Sequence, residues 1–350
     1  MHMAKSCFGL YYEHKSKGRT VKKMVKMLQG GRTAAPARTR AEKRARGRQR
    51  RRRVLTKLNQ SKSLYLFLIP AIVYFIIFCY LPMYGVQIAF RDYSLGAGIT
   101  GSPWVGLKHF ITFFESPRFL HLVQNTLTIT ALSLLTFPLP ILLAIGINYC
   151  TSRRLAKVVQ MISYAPHFIS TVVLVGMLTI FLSPSIGFVN TLLEMAGFDR
   201  VNFLMIPENF KFIYVGSDLW QHLGWNSVLY IGALASVSPE LHEAATVDGA
   251  SIWKRIWHID LPGISPTIII MLIMNLGFMM SVGFQKAFLL QNSGNIVSSE
   301  IISTYVYKIG LVQSNFSYST AIDLFNTAIN IVLLLTANAI CRKTTETSLF

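Results

Sequence analysis

Charge is what this sequence has least of. Asp, Glu, Lys and Arg make up 14% of its 350 residues, where a soluble domain carries about a quarter. Stretches 63–90, 122–152, 158–193, 219–239, 261–285 and 324–341 contain none of the four. Cysteine is scarce as well. Cys7, Cys79, Cys150 and Cys341 form no C-x-x-C pair, which argues against a disulfide framework and against a thiolate zinc site. The phosphate-binding signature G-x-x-x-x-G-K-[ST] is missing, and the dipeptide Gly-Lys occurs nowhere. The chain is therefore not expected to hydrolyse ATP itself. H-E-x-x-H and G-x-S-x-G are also absent, and the eight histidines do not fall at ligand spacing. No catalytic residue, metal site or resident cofactor is expected.

What fills the space is apolar. Hydrophobic residues reach 52% and the mean hydropathy is +0.44. About 20 mostly apolar residues cross a hydrocarbon layer, so the charge-free stretches predict an all-α, polytopic transmembrane bundle of about six spans, over residues 64–341. Pro70, Pro82, Pro138, Pro140, Pro166, Gly176, Gly277 and Gly283 lie within or beside these runs, where neighbouring helices can satisfy the freed backbone groups.

The formal charge of +19 sits almost wholly in the first 63 residues, with 20 Lys/Arg against Glu13 and Glu42. Such a like-charged run repels itself and is expected to be a disordered cytoplasmic tail that anchors orientation and touches anionic lipid. A nucleic-acid-binding arm is the competing reading, though the run lacks interleaved aromatics. It is too long for a cleaved signal peptide, and Met24 or Met27 are alternative starts. With this tail inside, 91–121, 183–211 and 286–319 fall outside. Residues 153–157, 238–260 and a C-terminal tail 342–350 fall inside. Asn190–Gly197 is predicted to form a short amphipathic helix on the outer surface, and Asp218 and Asp323 are expected at outer helix ends, facing water.

The inner segment 238–262 carries the most information. Ser238 suits a helix cap and Pro239 a first turn. Glu240 and Glu243 then sit near the favourable positive end of the dipole. Ala244 and Ala245 allow close approach of another backbone, and Gly249 supplies a sharp turn. Ile252, Ile256 and Ile259 recur at helical spacing, and Pro262 opens the next span. A small helix-turn-helix with a compact docking face follows.

Glu243-Ala244-Ala245, then Gly249, then Ile259-x-Leu261-Pro262 resembles the cytoplasmic coupling loop of type I ABC importer permeases. Asp248-Gly249-Ala250 is the triplet common in the sugar importers. Over roughly 59–343 the chain is similar to the LplB-like polysaccharide or oligosaccharide permeases of the maltose-type group, through Leu66–Pro70, Tyr80–Gly85, Ala89–Tyr93, Trp104–Leu107, Asn125-Thr126, Tyr164–Ser170, Trp220–Trp225 and Thr304–Tyr307. The resemblance implies a bacterial inner-membrane subunit with both termini in the cytoplasm. Its implied partners are a second permease, giving a heterodimer, two ATP-binding subunits that carry ATP and Mg, and an external solute-binding protein that delivers an oligosaccharide. Transport proceeds by alternating access. A non-carbohydrate solute is the alternative cargo, because the loop motif is shared across importers.

Polar and aromatic groups within spans are candidates for the pathway: Asn125, Tyr164, His167, Trp220, His222, Trp225, Asn275, Gln285 and Lys286. Trp220 and Trp225 equally suit an interface belt. Members of the family often place an acid before the lysine of Gly-Phe-x-Lys. Here Gly283-Phe284-Gln285-Lys286 does not, and a lysine lacking an adjacent acid favours an anionic, uronate-containing glycan of the alginate type.

Removing residues 1–55 separates the readings of the tail. Solute uptake by the truncated chain should stay largely intact in cells, and loss of function despite membrane insertion would instead favour the nucleic-acid or lipid arm.

Overall fold

The computed structural model describes residues 62–278, 280 and 282–345. All but the last two residues of the expected basic tail lie outside them, as do 346–350. The chain divides into two compact units, 1–79 and 80–350. In the first, helix α1 (Lys62–Phe75) contains Pro70 and runs on as a wider turn, Ile76–Tyr80.

In the second unit we number the α-helices of six residues or more as α2 (Lys108–Glu115), α3 (Phe119–Leu135), α4 (Pro138–Asn148), α5 (Arg153–Tyr164), α6 (Thr171–Phe181), α7 (Phe188–Met195) and α8 (Asn209–Ala235). They continue as α9 (Pro239–Val247), α10 (Leu261–Gly277), α11 (Phe284–Leu290), α12 (Ile302–Tyr307) and α13 (Phe316–Thr345). Arg342 and Lys343 form the last turn of α13, where cations complement the helix dipole.

Among the described residues, Leu66–Phe90, Phe119–Asn148, Ile252–Gly277 and Phe316–Lys343 are long and apolar enough to cross a membrane. A fifth span arises if Arg153–Phe168 and Thr171–Phe181 count together across a bend of 100°. The charge-free runs had suggested about six, and two of them explain the difference. The run 158–193 is broken. Pro166 sits in the tight turn Ala165–Phe168, and Ser170 restarts the chain by accepting from the Val173 amide. The run 219–239 belongs to α8, whose 27 residues rise about 40 Å. Its length suffices, but Asp218, Gln221, His222 and Asn226 dilute its apolar character.

α8 is the hub, packing against α3, α4, α5 and α10. One apolar cluster joins its first half to α3, α6 and α11 through Ile129, Val175, Phe210, Tyr214, Ala287 and Leu290. Another joins its second half to α4 and α10 through Ile141, Ala144, Ile145, Tyr230, Leu234 and Ile264. A third ties α13 to α2, α3 and α12 around Phe113, Leu122, Ile302, Tyr305 and Ile322. Gly224 brings α8 hard against α5. A Cβ there would run into the backbone carbonyl of Ser163, the close approach that small residues permit between membrane helices.

Away from the 238–262 loop, polar clasps hold the connecting segments. Arg91 pairs with Trp104 in an isolated bridge and donates to the Ser102 carbonyl at 2.7 Å. The Ser317 hydroxyl donates to the Arg91 carbonyl at 2.7 Å, fastening this segment to the start of α13. Lys108 hydrogen-bonds Asp92 at 2.7 Å, which holds the Asp92 carboxyl below its ordinary range. The short helix expected at 190–197 is α7. Asn190 does not face a surface, however. It is fully buried, donates to the carbonyls of Leu182, Ser183 and Val201, and accepts from the Val201 amide.

Gly224→Ala should destabilise the protein by about 1–3 kcal/mol, the usual cost of overpacking. Gly216→Ala, on the same helix with open space around it, should be neutral. Thermal unfolding of the two purified variants in one detergent compares them, and equal midpoints would remove the close approach as a packing constraint.

Candidate functional site

α8 presents Tyr214, Asp218, His222, Asn226 and Tyr230 at strict four-residue spacing. Four residues advance a helix by roughly 40° beyond a full turn, so the five form a slowly winding stripe. All five line a cavity of about 420 Å³, within the common range for small-molecule sites. α3 contributes Ile129, Thr130, Ser133 and Leu134, Phe137 comes from the α3–α4 junction, α4 adds Pro140, and α10 adds Met271, Asn275 and Leu276. The wall thus mixes aromatic faces with hydroxyl and amide groups.

The charge at this cavity is compensated. Lys286 is buried, with 6% of its side chain exposed, and its Nζ stands 3.3 Å from the Asp218 carboxylate. The same ammonium donates to the Tyr214 carbonyl at 2.9 Å and lies 4.7 Å from the centre of that ring. His222 Nδ1 is 3.5 Å from Asp218 Oδ1 and 3.1 Å from the Asp218 backbone oxygen. Two expectations are corrected here. Asp218 does not sit at a helix end but well inside α8, at the cavity and paired with Lys286, because burying Lys286 demands a counter-charge. Nor does Lys286 lack an acid, since the acid comes from α8, 68 positions away in sequence.

Of the other pathway candidates, His222 and Asn275 line the cavity. His167 stacks flat on Trp225, with centroids 4.3 Å apart, and its ring lies 5.4 Å from that of His222. The buried His167 Nδ1 has no hydrogen-bond partner. The Tyr164 hydroxyl accepts from Gln160 at 2.6 Å. Asn125 is brought elsewhere. Its amide donates to the carbonyls of Val297 and Glu300, a structural clasp between α3 and the segment before α12. Trp220 and Gln285 are exposed. Asp218, Asn226, Ser133, Thr130, Tyr214 and Tyr230 escaped the sequence reading, although the i, i+4 stripe was there to be counted.

The 238–262 segment is the expected helix-turn-helix. Ser238 makes no side-chain cap, contrary to expectation, whereas Ser251 caps the short helix Ile252–Arg255 by accepting from the Lys254 amide. Gly249 takes φ +70°, the left-handed position that ends a helix, and the Ala250 amide closes on the Ala245 carbonyl at 2.8 Å. Glu243, Ala244, Asp248 and Gly249 are exposed, as are Leu241, Val247, Trp253 and Trp257. Such an apolar patch ringed by polar groups suits a partner. Ala245, Ala250, Ile259 and Leu261 are half-buried, and Pro262 starts α10 from an exposed position.

Polar contacts fix this loop to the bundle. Asp260, fully buried, accepts at Oδ2 from the Tyr149 hydroxyl at 2.6 Å. His242 of α9 places Nε2 3.3 Å from Oδ1. Arg255 stacks its guanidinium 5.7 Å from the Tyr149 ring centre and donates to Thr246 Oγ1 at 3.3 Å. Burial and then the bond to Asp260 push the Tyr149 phenol up to about 12, so it remains a donor at physiological pH.

Residues 136–345 match the family described as the binding-protein-dependent transport system inner membrane component. The polygalacturonan/rhamnogalacturonan transport system permease protein YteP of Bacillus subtilis (strain 168) is 41% identical over 304 residues, 87% of this chain and 95% of YteP. Protein LplB of the same organism is 40% identical over 297 residues, 85% of this chain and 93% of LplB. Among solved structures, a bacterial ABC transporter involved in the import of the acidic polysaccharide alginate contains a chain that is 42% identical. The match has a TM-score of 0.78 and covers 84% of this chain and 99% of that one. A chain from the bacterial alginate ABC transporter in complex with an alginate pentasaccharide-bound periplasmic protein matches with a TM-score of 0.79, at 42% identity over 85% of this chain and 100% of that one.

Lys286→Met alone should lower stability by about 1–3 kcal/mol, because it strands a partly buried carboxylate. The double variant Lys286→Met/Asp218→Leu should recover much of that loss. A double-mutant cycle by thermal unfolding checks this, and simple additivity would mean that the pair is not coupled.

Proposed function

Because the chain belongs to the binding-protein-dependent transport system inner membrane components, we propose that it forms half of the translocation pathway of an importer for an acidic oligosaccharide. Its partners are a second permease, two ATP-binding subunits that hold ATP and Mg, and an external solute-binding protein. Both termini face the cytoplasm of a bacterial inner membrane. The observation that carries the reading is the exposed helix-turn-helix at 239–255, with Glu243, Ala244, Ala245 and Gly249 on a projecting elbow joined to the start of α10.

The mechanism follows from the elbow and the cavity together. Closure of the ATP-binding subunits pulls the elbows of the two permeases together. Glu243 bonds the partner surface, while Ala244 and Ala245 leave room for it. The motion passes into α10 and α8, which line the cavity, and exposes it alternately to the two sides. This is a two-state equilibrium biased by ligands with different affinity for each state.

The cargo assignment rests on the relatives, whose names and descriptions specify polygalacturonan, rhamnogalacturonan and acidic alginate. Within this chain, the support is a cavity that meets sugar hydroxyls with Thr130, Ser133, Asn226 and Asn275, and ring faces with Phe137, Tyr214 and Tyr230. Lys286 contributes through its pair with Asp218, which cancels the carboxylate charge that would repel a uronate. His222, beside that pair, is the group left to meet an anion.

Gly249→Pro or Ala245→Asp should abolish uptake and uncouple ATP hydrolysis, with the chain still in the membrane. His222→Ala should raise the KM for an alginate-type oligosaccharide at least tenfold, about 1.4 kcal/mol. Uptake assays in cells together with hydrolysis by the purified assembly measure both, and unimpaired uptake in the Gly249→Pro strain would refute the role of the elbow.

A further inference from the structure

Asp260 combines full burial with an incomplete set of partners. It stands at the joint where the elbow becomes α10. Its Oδ2 is satisfied by Tyr149, at the end of α4. Its Oδ1 is buried and accepts no hydrogen bond in this conformation, although His242 Nε2 lies only 3.3 Å away. The ring is within ion-pair range but outside hydrogen-bonding geometry. A buried carboxylate oxygen without a donor is costly, and the nearest available donor sits on α9, the helix expected to be pulled. A small displacement of α9 would complete the bond, and a small displacement the other way would open it.

We propose that Asp260 is a positioning residue whose contact with His242 makes or breaks as the elbow moves, passing that motion into both α4 and α10. The inference rests on the importer reading and deepens it by naming the joint. Three elements meet at this residue: α4 through the Tyr149 hydroxyl, α9 through the neighbouring His242 ring, and α10, which Asp260 immediately precedes in the chain. Without such a joint, α9 could swing on Gly249 and the turn at 236–238 without displacing the cavity wall. α4 and α10 share the cluster of Ile141, Ile145, Tyr230 and Ile264, so a pull at Asp260 is delivered next to Tyr230, at one end of the cavity stripe. The contact is bistable in the sense that packed interfaces are, having discrete made and unmade arrangements.

The His242 ring can bring the N–H donor that the orphaned oxygen lacks. The other titratable or charged groups facing this point are Tyr149 from α4 and Arg255 from the helix before Asp260. Arg255 is engaged with Thr246 and the Tyr149 ring. His258 is exposed and bonded to the Lys254 carbonyl.

The test uses the whole assembly, co-purified through this chain and placed in nanodiscs of bacterial lipid. Spin labels go on Glu240→Cys and Ile331→Cys, both at exposed positions, with the native cysteines replaced by serine. Distances are measured without nucleotide and after trapping with ATP and vanadate. In the otherwise wild-type background, trapping should shift the distance. Asp260→Asn should reduce the shift by at least half, and His242→Leu, which carries no donor, should reduce it to a similar degree. The amount of co-purified ATP-binding subunit and the basal hydrolysis should stay within twofold. Tyr149→Phe, a milder change, should give a partial loss and serves if Asp260→Asn fails to assemble. A full shift in Asp260→Asn, or in Tyr149→Phe where that variant is the one used, would overturn the joint while leaving the importer reading intact. Absence of any ATP-binding subunit from the wild-type preparation would instead sink the importer reading beneath it.

Discussion

A lysine cannot be packed among apolar helices with its charge unanswered, and the arrangement of this bundle's centre follows from that. Burying an ammonium costs far more than a single hydrogen bond returns, so Lys286 on α11 must find a carboxylate, and α8 supplies Asp218 at 3.3 Å. The pair fixes the rotation of α8. With Asp218 turned toward α11, the residues four and eight positions on, His222 and Asn226, are carried round the same side, and Tyr214 falls one turn earlier. A cavity lined by these groups results from that rotation. The opposite side of α8 is committed by Gly224, whose missing side chain admits the Ser163 backbone. An ion pair on one face and a glycine contact on the other leave the helix little freedom to turn.

The general plan was legible in the sequence because it depends on composition over long windows. Charge-free runs mark apolar helices whatever their partners are, and Pro239, Gly249 and Pro262 mark the ends of short helices by backbone restriction alone. Both signals are local. What escaped was either non-local or a matter of degree. No spacing rule could assign Asp218 to Lys286, because the two meet across helices 68 positions apart. The bend at Ala165–Phe168 was hidden by an unbroken charge-free run, and only Pro166 hinted at it. Asn190 looked like a polar face and proved to be an internal bracket for its own loop. Asn125 looked like a pathway amide and proved to satisfy two carbonyls. In each case a polar residue in an apolar run was solving a backbone problem, which is the commoner duty of such residues.

The stripe on α8 is a different kind of omission. Tyr214, Asp218, His222, Asn226 and Tyr230 are visible as a four-residue repeat in the bare sequence. Taken together, they describe one face of one helix, and a continuous polar-aromatic face within an otherwise apolar bundle needs either a polar partner or a cavity. Here it has both.

The position of α8 also bears on how force can cross the molecule. A helix of 27 residues is stiff along its axis, and it touches α3, α4, α5 and α10 at once, so the cavity wall tends to move as a block rather than residue by residue. α5 is locked to α8 at Gly224 but leaves at a sharp bend toward α6, which gives the block a natural edge. The second half of the elbow runs straight into α10, whereas α9 is tied in along the backbone only by Gly249 and the turn at 236–238, which alone would transmit little. Packed interfaces switch between discrete arrangements and do not deform continuously. A motor acting on the elbow therefore has to grip a buried contact, not merely push on a loop. Few polar contacts in this part of the molecule are buried enough to serve, and the carboxylate of Asp260, shared between α4, α9 and α10, is the one where all the moving parts meet.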